Sequence, residues 1–166
     1  MNLEKLWNYN LFLDKIFENL KNDNIDVADL ELDHICYRVD SDEKYGILKN
    51  EIEKIGTLLI ENIIWARKIS TFKLNKAIIY KNRKIYILEL PAPKKWSNYE
   101  NWFEHVEFVI KESFDDFMKK YSNIDFKTKA LEKEINPDIK IKYSDFSVKF
   151  HHNSLENVIL EEKGTV

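Results

Sequence analysis

At 166 residues the chain has room for one hydrophobic core and little more, so a single domain is expected. Hydrophobic residues make up 44% and charged residues 33%, with only 3 Gly and 3 Pro, which excludes disordered, collagen-like and low-complexity chains. The net charge of −3, from 26 basic and 29 acidic residues interspersed along the chain, lacks the basic excess that neutralises phosphates, so no nucleic-acid partner is expected.

Cys36 is the only cysteine, which rules out an intramolecular disulfide and a cysteine-based zinc site. Met1-Asn2-Leu3-Glu4-Lys5 lacks the basic-then-apolar design of a secretion signal, and no apolar run approaches the roughly 18 residues that span a bilayer. The expectation is a cytoplasmic protein with no membrane partner. There are too few glycines for a phosphate-cradling loop.

In chain order, Leu3, Leu6, Trp7, Leu11, Phe12, Ile16, Phe17 and Leu20 predict an amphipathic helix over 3–21, inside an N-terminal segment 1–30. Residues 32–39 read as a strand. Tyr45, Leu48, Ile52, Ile55 and Leu58 fall at helical spacing from Ser41 to about Leu58. Three strand-like runs follow, 67–74, 77–80 and 84–90, closed by Pro91-Ala92-Pro93. The order strand, helix, strand, strand, strand then repeats. Residues 104–110 read as a strand and 114–121 as a helix, followed by candidate strands 124–131, 139–143 and 147–151. A short final helix follows over 154–162, with Ser154 as its N-cap. The chain thus reads as an α+β protein of two tandem βαβββ modules, 31–93 and 101–153. His34 and His105 stand 71 residues apart at matching places in the repeat, and Glu89 is matched with His151.

Strand alternation sorts side chains into faces. Ile35, Tyr37 and Val39, with Val106, Phe108 and Ile110, form rows suited to packing on helices. The opposite rows collect His34, Arg38, Glu89, His105, Glu107, Lys149 and His151. Plain solvent would not select three imidazoles on one face, so a pocket is expected there, either metal-binding or polar and metal-free. Cys36 reads as inert packing, and the four Trp as core or rim packing.

The chain resembles the YecM-like proteins, a bacterial branch of the vicinal oxygen chelate superfamily that includes glyoxalases, bleomycin-resistance proteins and extradiol dioxygenases. The resemblance covers residues 30–162. It rests on Asp33-His34-Ile35 with Arg38, Glu61-Asn62, Phe72-Lys73-Leu74, Glu89-Leu90-Pro91 with Pro93, Glu104-His105 with Glu107, and Lys149-Phe150-His151 with Ser154. It implies an open, barrel-like cup built from the two modules. It also implies metal ligands on the first and fourth strands of each, at His34, Glu89, His105 and His151. A Glu often stands at the last of these in the superfamily; Glu161 is the alternative, but its stretch reads as helical.

Two histidines and a carboxylate with open positions would suit a divalent Fe, Ni, Co, Zn or Mn ion. Glu107, two residues beyond His105, would be a catalytic base or a supporting partner of a ligand, or else a salt-bridged surface residue. Arg38, Arg67, Lys73 and Lys149 would favour an anionic small-molecule substrate, or are ordinary surface cations. Two classes of function stay open. One is a metal-dependent isomerase, lyase or oxygenase acting on a small oxygen-rich anion. The other is a metal-free module that binds or sequesters a small molecule.

Overall fold

A computed structural model describes residues 8–64, 66–95 and 100–164. The first helix, α1, runs Tyr9–Asn22, with the Asn8 side chain accepting from Leu11 N as its cap; the expected residues 3–7 lie outside the described part. The remaining elements are β1 Glu31–Arg38, α2 Asp42–Glu53, β2 Gly56–Ile64, β3 Arg67–Tyr80, β4 Arg83–Pro91, β5 Trp102–Val109, α3 Phe114–Lys120, a 3-10 turn Lys129–Glu132, β6 Ile139–Lys142, β7 Ser147–His151 and α4 Leu155–Glu162. None of these helices is long and apolar enough to cross a membrane.

The seven strands form one open sheet in the order β2-β3-β4-β1-β5-β7-β6. At its centre β1 and β5 pair antiparallel; each has a parallel neighbour on its far side, β4 on β1 and β7 on β5. The two halves are therefore arranged alike about the β1–β5 seam, as expected for tandem modules forming an open α+β cup.

Three local expectations need correction. Helix α2 ends at Glu53, not near Leu58, and Gly56–Ile64 is a strand the sequence reading missed. The apolar residues Ile55 and Leu58 continue the helical spacing by coincidence. The true break is Gly56, where any Cβ would stand 2.8 Å from the carbonyl oxygen of Lys73 on the paired strand. Next, 67–74 and 77–80 are one long strand with an irregularity in its β4 pairing between Lys73 and Ile78. Finally, 124–131 is not a strand: Lys127 makes one isolated bridge to Lys140, and the chain then tightens into the 3-10 turn. Its partner strand cannot extend backwards, because Pro137 has no N–H and Asn136 has a φ of 45°.

The helix-covered face holds the core. Phe12 of α1 stacks on Phe103 at 4.9 Å, Phe17 lies against Tyr80 and Phe108, and Phe117 of α3 packs on Phe150. On the same side, Tyr45 and Lys49 of α2 donate to Glu61 of β2, beside Ser70 of β3, and so tie the helix to the edge of the sheet. The Lys49 ammonium, with the Tyr45 and Ser70 hydroxyls, holds the Glu61 carboxyl down to about 2.

A depressed carboxyl pKa stabilises the fold fully above the unfolded value, near 4.5, and that contribution is lost as pH falls towards 2. Glu61→Gln should therefore cost about 1 kcal/mol at neutral pH. In urea denaturation the gap from wild type should shrink between pH 4.5 and pH 3. A gap that stays constant or widens would show that the ionised carboxylate is not what ties α2 down.

Candidate metal centre

Four adjacent strands, β4, β1, β5 and β7, carry the polar cluster on the face opposite the core helices. Register brings the residues together: His34 of β1 is opposite Glu107 of β5, Cys36 is opposite both His105 and Glu89, and Lys149 of β7 is opposite Glu107. The donor atoms of His34, Glu89, His105 and Glu107 all lie within 4.8 Å of one another. Nε2 of His34 stands 3.7 Å from a Glu89 oxygen and 3.4 Å from Glu107 Oε1, and Nε2 of His105 is 3.3 Å and 3.2 Å from the same two atoms. Donors on one ion with bonds of about 2.0–2.3 Å stand about 2.8–3.8 Å apart when adjacent, and these four imidazole–carboxylate distances fall in that range.

The orientation of His34 fits as well. Its Nδ1 lies 2.8 Å from Asp33 Oδ2, while its buried Nε2 has no hydrogen-bond partner. A carboxylate behind the imidazole fixes the tautomer that leaves Nε2 free to bind a metal. Asp33 also accepts the backbone N–H of Leu155 at 2.9 Å, which seats the start of α4 on the cup.

The charges are tightly balanced. Burial alone would raise the Glu89 and Glu107 carboxyls. For Glu89 the histidines and Lys149 outweigh it and bring the value to about 2; for Glu107, Lys149, His34 and His105 hold it well down. Burial would likewise depress Lys149 and His34. The carboxylates around Lys149 (Glu107, Glu89, Asp138) and around His34 (Glu107, Asp33) outweigh burial, and both are raised. The Lys149 ammonium donates to Glu107 and lies 3.2 Å from His105 Nε2, so it is the positive charge nearest the paired carboxylates.

His151 takes a different place from the one expected. Its Nδ1 lies 3.3 Å from Glu107 Oε2 and its Nε2 lies 3.3 Å from Asp33 Oδ2, so it bridges two carboxylates behind the four-donor group and is not part of it. The register explains this. Glu89 is opposite Cys36, and Lys149 is opposite Glu107, the residue 71 positions after Cys36. The counterpart of Glu89 in the repeat is thus Lys149, and His151 lies one two-residue step further along β7. His152 points away, with Nε2 2.9 Å from the Glu112 carbonyl oxygen and its ring on Phe114.

A cavity of about 520 Å³ opens over the cluster, walled by Ile60, Ile64 and Ile69 on the sheet and by Leu155, Val158 and Ile159 on α4. Arg67 and Lys149 line it; Arg38 and Lys73 do not. Arg38 is at the far end of β1, its Nε directed at the Glu100 carbonyl oxygen, and Lys73 pairs with Glu156 at 2.6 Å. Alternation gives the right face for both, but Arg38 lies four residues, about 13 Å, beyond His34, and Lys73 is drawn to Glu156. Glu104 lines the cavity unforeseen. Tyr37 pairs with Phe103 but Cys36 with His105, so Glu104 is an extra residue in β5, a bulge that turns it and His105 into the cup while Phe103 faces α1. Cys36 is fully buried and its thiol is pushed up by burial and by Glu89, consistent with packing. Trp7, Trp65 and Trp96 lie outside the described residues; Trp102 is half-buried beside Phe103.

Comparison with known proteins agrees with this architecture. An uncharacterised protein of Haemophilus influenzae is 30% identical over 154 residues, spanning 83% of this chain and 80% of its own length. Protein YecM of Escherichia coli is 27% identical over 155 residues, spanning 84% and 82%. A structural-genomics protein superposes with a TM-score of 0.78 at 25% identity, covering 91% of this chain and 87% of its own. Methylmalonyl-CoA epimerase of Streptomyces coelicolor, at 10% identity and a TM-score of 0.53 over 75% of this chain and 97% of its own, shares the vicinal oxygen chelate fold. The model of the YecM protein family matches residues 2–162, and the chain belongs to that family.

Proposed function

We propose that the chain is a metal-dependent enzyme of the vicinal oxygen chelate type, an isomerase, lyase or oxygenase acting on a small oxygen-rich anion held in the cup. The observation that carries this reading is the convergence of two imidazole nitrogens and two carboxylates within 4.8 Å at the floor of one cavity. His34, Glu89 and His105 would hold a divalent Fe, Ni, Co, Zn or Mn ion, with Glu107 at its edge. When bound, such an ion supplies Lewis acidity that polarises a substrate carbonyl or enolate oxygen.

The chain's own groups would do the rest. Asp33 keeps His34 Nε2 aimed into the cup. Glu107, with His151 against its other oxygen, is placed to accept a proton at Oε1 once the Lys149 ammonium is drawn off it. Arg67 and Lys149 supply positive charge to the cavity for an anionic substrate, and the isoleucine wall and α4 limit water. A second reading, a metal-free binding cup, is favoured by one specific contact: the Lys149 ammonium already bridges Glu107 and His105.

The two readings separate on elemental analysis of untagged protein purified without chelator. The enzyme reading expects about one divalent ion per chain. In His105→Ala the fold should survive, because the ring faces the cup and not the core, while metal affinity falls by more than about a hundredfold, the upper end for losing a mere supporting group. Wild-type protein without metal, or a variant that unfolds, would favour the binding cup or a packing role.

Lys149→Met tests the charge balance directly. Without metal it leaves the buried carboxylates uncompensated and should cost about 3 kcal/mol. Added divalent ion should then restore stability, and affinity for the ion should exceed that of wild type. A variant as stable as wild type, or one that metal does not rescue, would contradict this account of Lys149.

A further inference from the structure

Among the described residues, four buried side-chain nitrogen or oxygen atoms lack a hydrogen-bond partner: Nε2 of His34, Nη1 of Arg67, Oε2 of Glu104 and Nε2 of His151. The first three belong to residues that line the same cavity. An unsatisfied buried polar atom is costly, and folded proteins rarely tolerate one without a use for it. Three around one cavity mark what its occupant has to provide. His34 Nε2 is accounted for by the ion of the proposed function. Arg67 Nη1, a donor without an acceptor, and Glu104 Oε2, an acceptor without a donor, are not.

Nor do these two atoms satisfy each other, although both residues face the same space. Glu104 turns its other oxygen towards Lys94, 3.7 Å away, which leaves Oε2 uncommitted. The bulge that carries Glu104 breaks the alternation of β5, a distortion that recurs next to binding sites because it re-aims a side chain. Arg67 opens β3 directly after Ala66, which is held at a φ of 58°, so the chain enters the cup wall through a constrained turn.

We infer that Arg67 and Glu104 form a recognition pair for a small hydroxylated carboxylate, Arg67 donating to a carboxylate oxygen and Glu104 accepting from a hydroxyl further along the same molecule. This deepens the reading of the cup as a site for an oxygen-rich anion and rests on it. It narrows the substrate class to molecules that carry both groups. A simple fatty acid offers only the first and a neutral polyol only the second, and each would leave one of the pair buried and unpaired.

The test uses the full chain and three probes of equal carbon number: gluconate, hexanoate and glucitol, titrated calorimetrically into wild type, Arg67→Met and Glu104→Met. Gluconate should bind wild type at least about tenfold more tightly than either other probe, and each substitution should remove at least about tenfold of that affinity. Metal content should not change in either variant. With no ligand present, both variants should melt at or above the wild-type temperature, because each removes an unsatisfied buried group; a structural role would lower it. Hexanoate or glucitol binding as well as gluconate, gluconate failing to bind, or undiminished gluconate affinity in either variant would overturn the inference. Repeating the titration after chelator treatment separates the two claims. If dependence on Arg67 and Glu104 survives in a protein that never held metal, the metal reading fails and the recognition pair stands.

Discussion

Asp33, Glu89 and Glu107 bring three carboxylates to one face of the central strands, and much of the surrounding structure serves to compensate them. Isolated buried charge is among the most unfavourable things a fold can contain, so each carboxylate must face a cation or a donor. Asp33 is met by His34, His151 and the first N–H of α4; Glu107 is met by Lys149 and lies against all three imidazoles. The compensation is close but dense in negative charge, and a divalent cation at the centre would match it better than one ammonium does.

That cluster exists because two strands far apart in sequence pair at the seam. Antiparallel pairing of β1 with β5 sets His34 against Glu107 and Cys36 against His105, and the parallel neighbours β4 and β7 add Glu89 and Lys149 in register. Slipping any of these strands by one residue would send its contribution into the phenylalanine core on the other face. The core therefore fixes the site: Phe103, Phe108 and Phe150 on the helix face lock the register that places the polar row. The near-symmetry of the two halves breaks where chemistry could use it, with Glu89 in one half answered by Lys149 in the other.

Much of this was legible in the sequence because alternation is local. Reading every second residue put His34, Glu89, His105 and Glu107 on one face, and the order of elements pointed to the tandem modules. What was not legible depends on non-local geometry. A bulge adds one residue without disturbing composition, so nothing in Trp102-Phe103-Glu104-His105 announced that Glu104 turns inward. Alternation gives a face and not a distance, which is why it groups Arg38 and Lys73 with a cavity they do not line. Counting along the chain matches His151 to Glu89, whereas the parallel register of β5 and β7 decides the match. Strand β2 was hidden because its apolar residues continue the spacing of the preceding helix; only Gly56 marked the change.

On the proposed function, His34, Glu89 and His105 hold an ion with Glu107 at its edge, and the Lys149 ammonium shares or yields that place. A crystal structure of the full chain soaked with Mn²⁺, with anomalous scattering recorded, tests it most directly. One peak is expected at about 2.0–2.3 Å from His34 Nε2, His105 Nε2 and a Glu89 oxygen, with the Lys149 ammonium displaced from between Glu107 and His105. No peak at saturating Mn²⁺, with Lys149 still bonded to Glu107, would contradict it and leave the cup as a metal-free binding site.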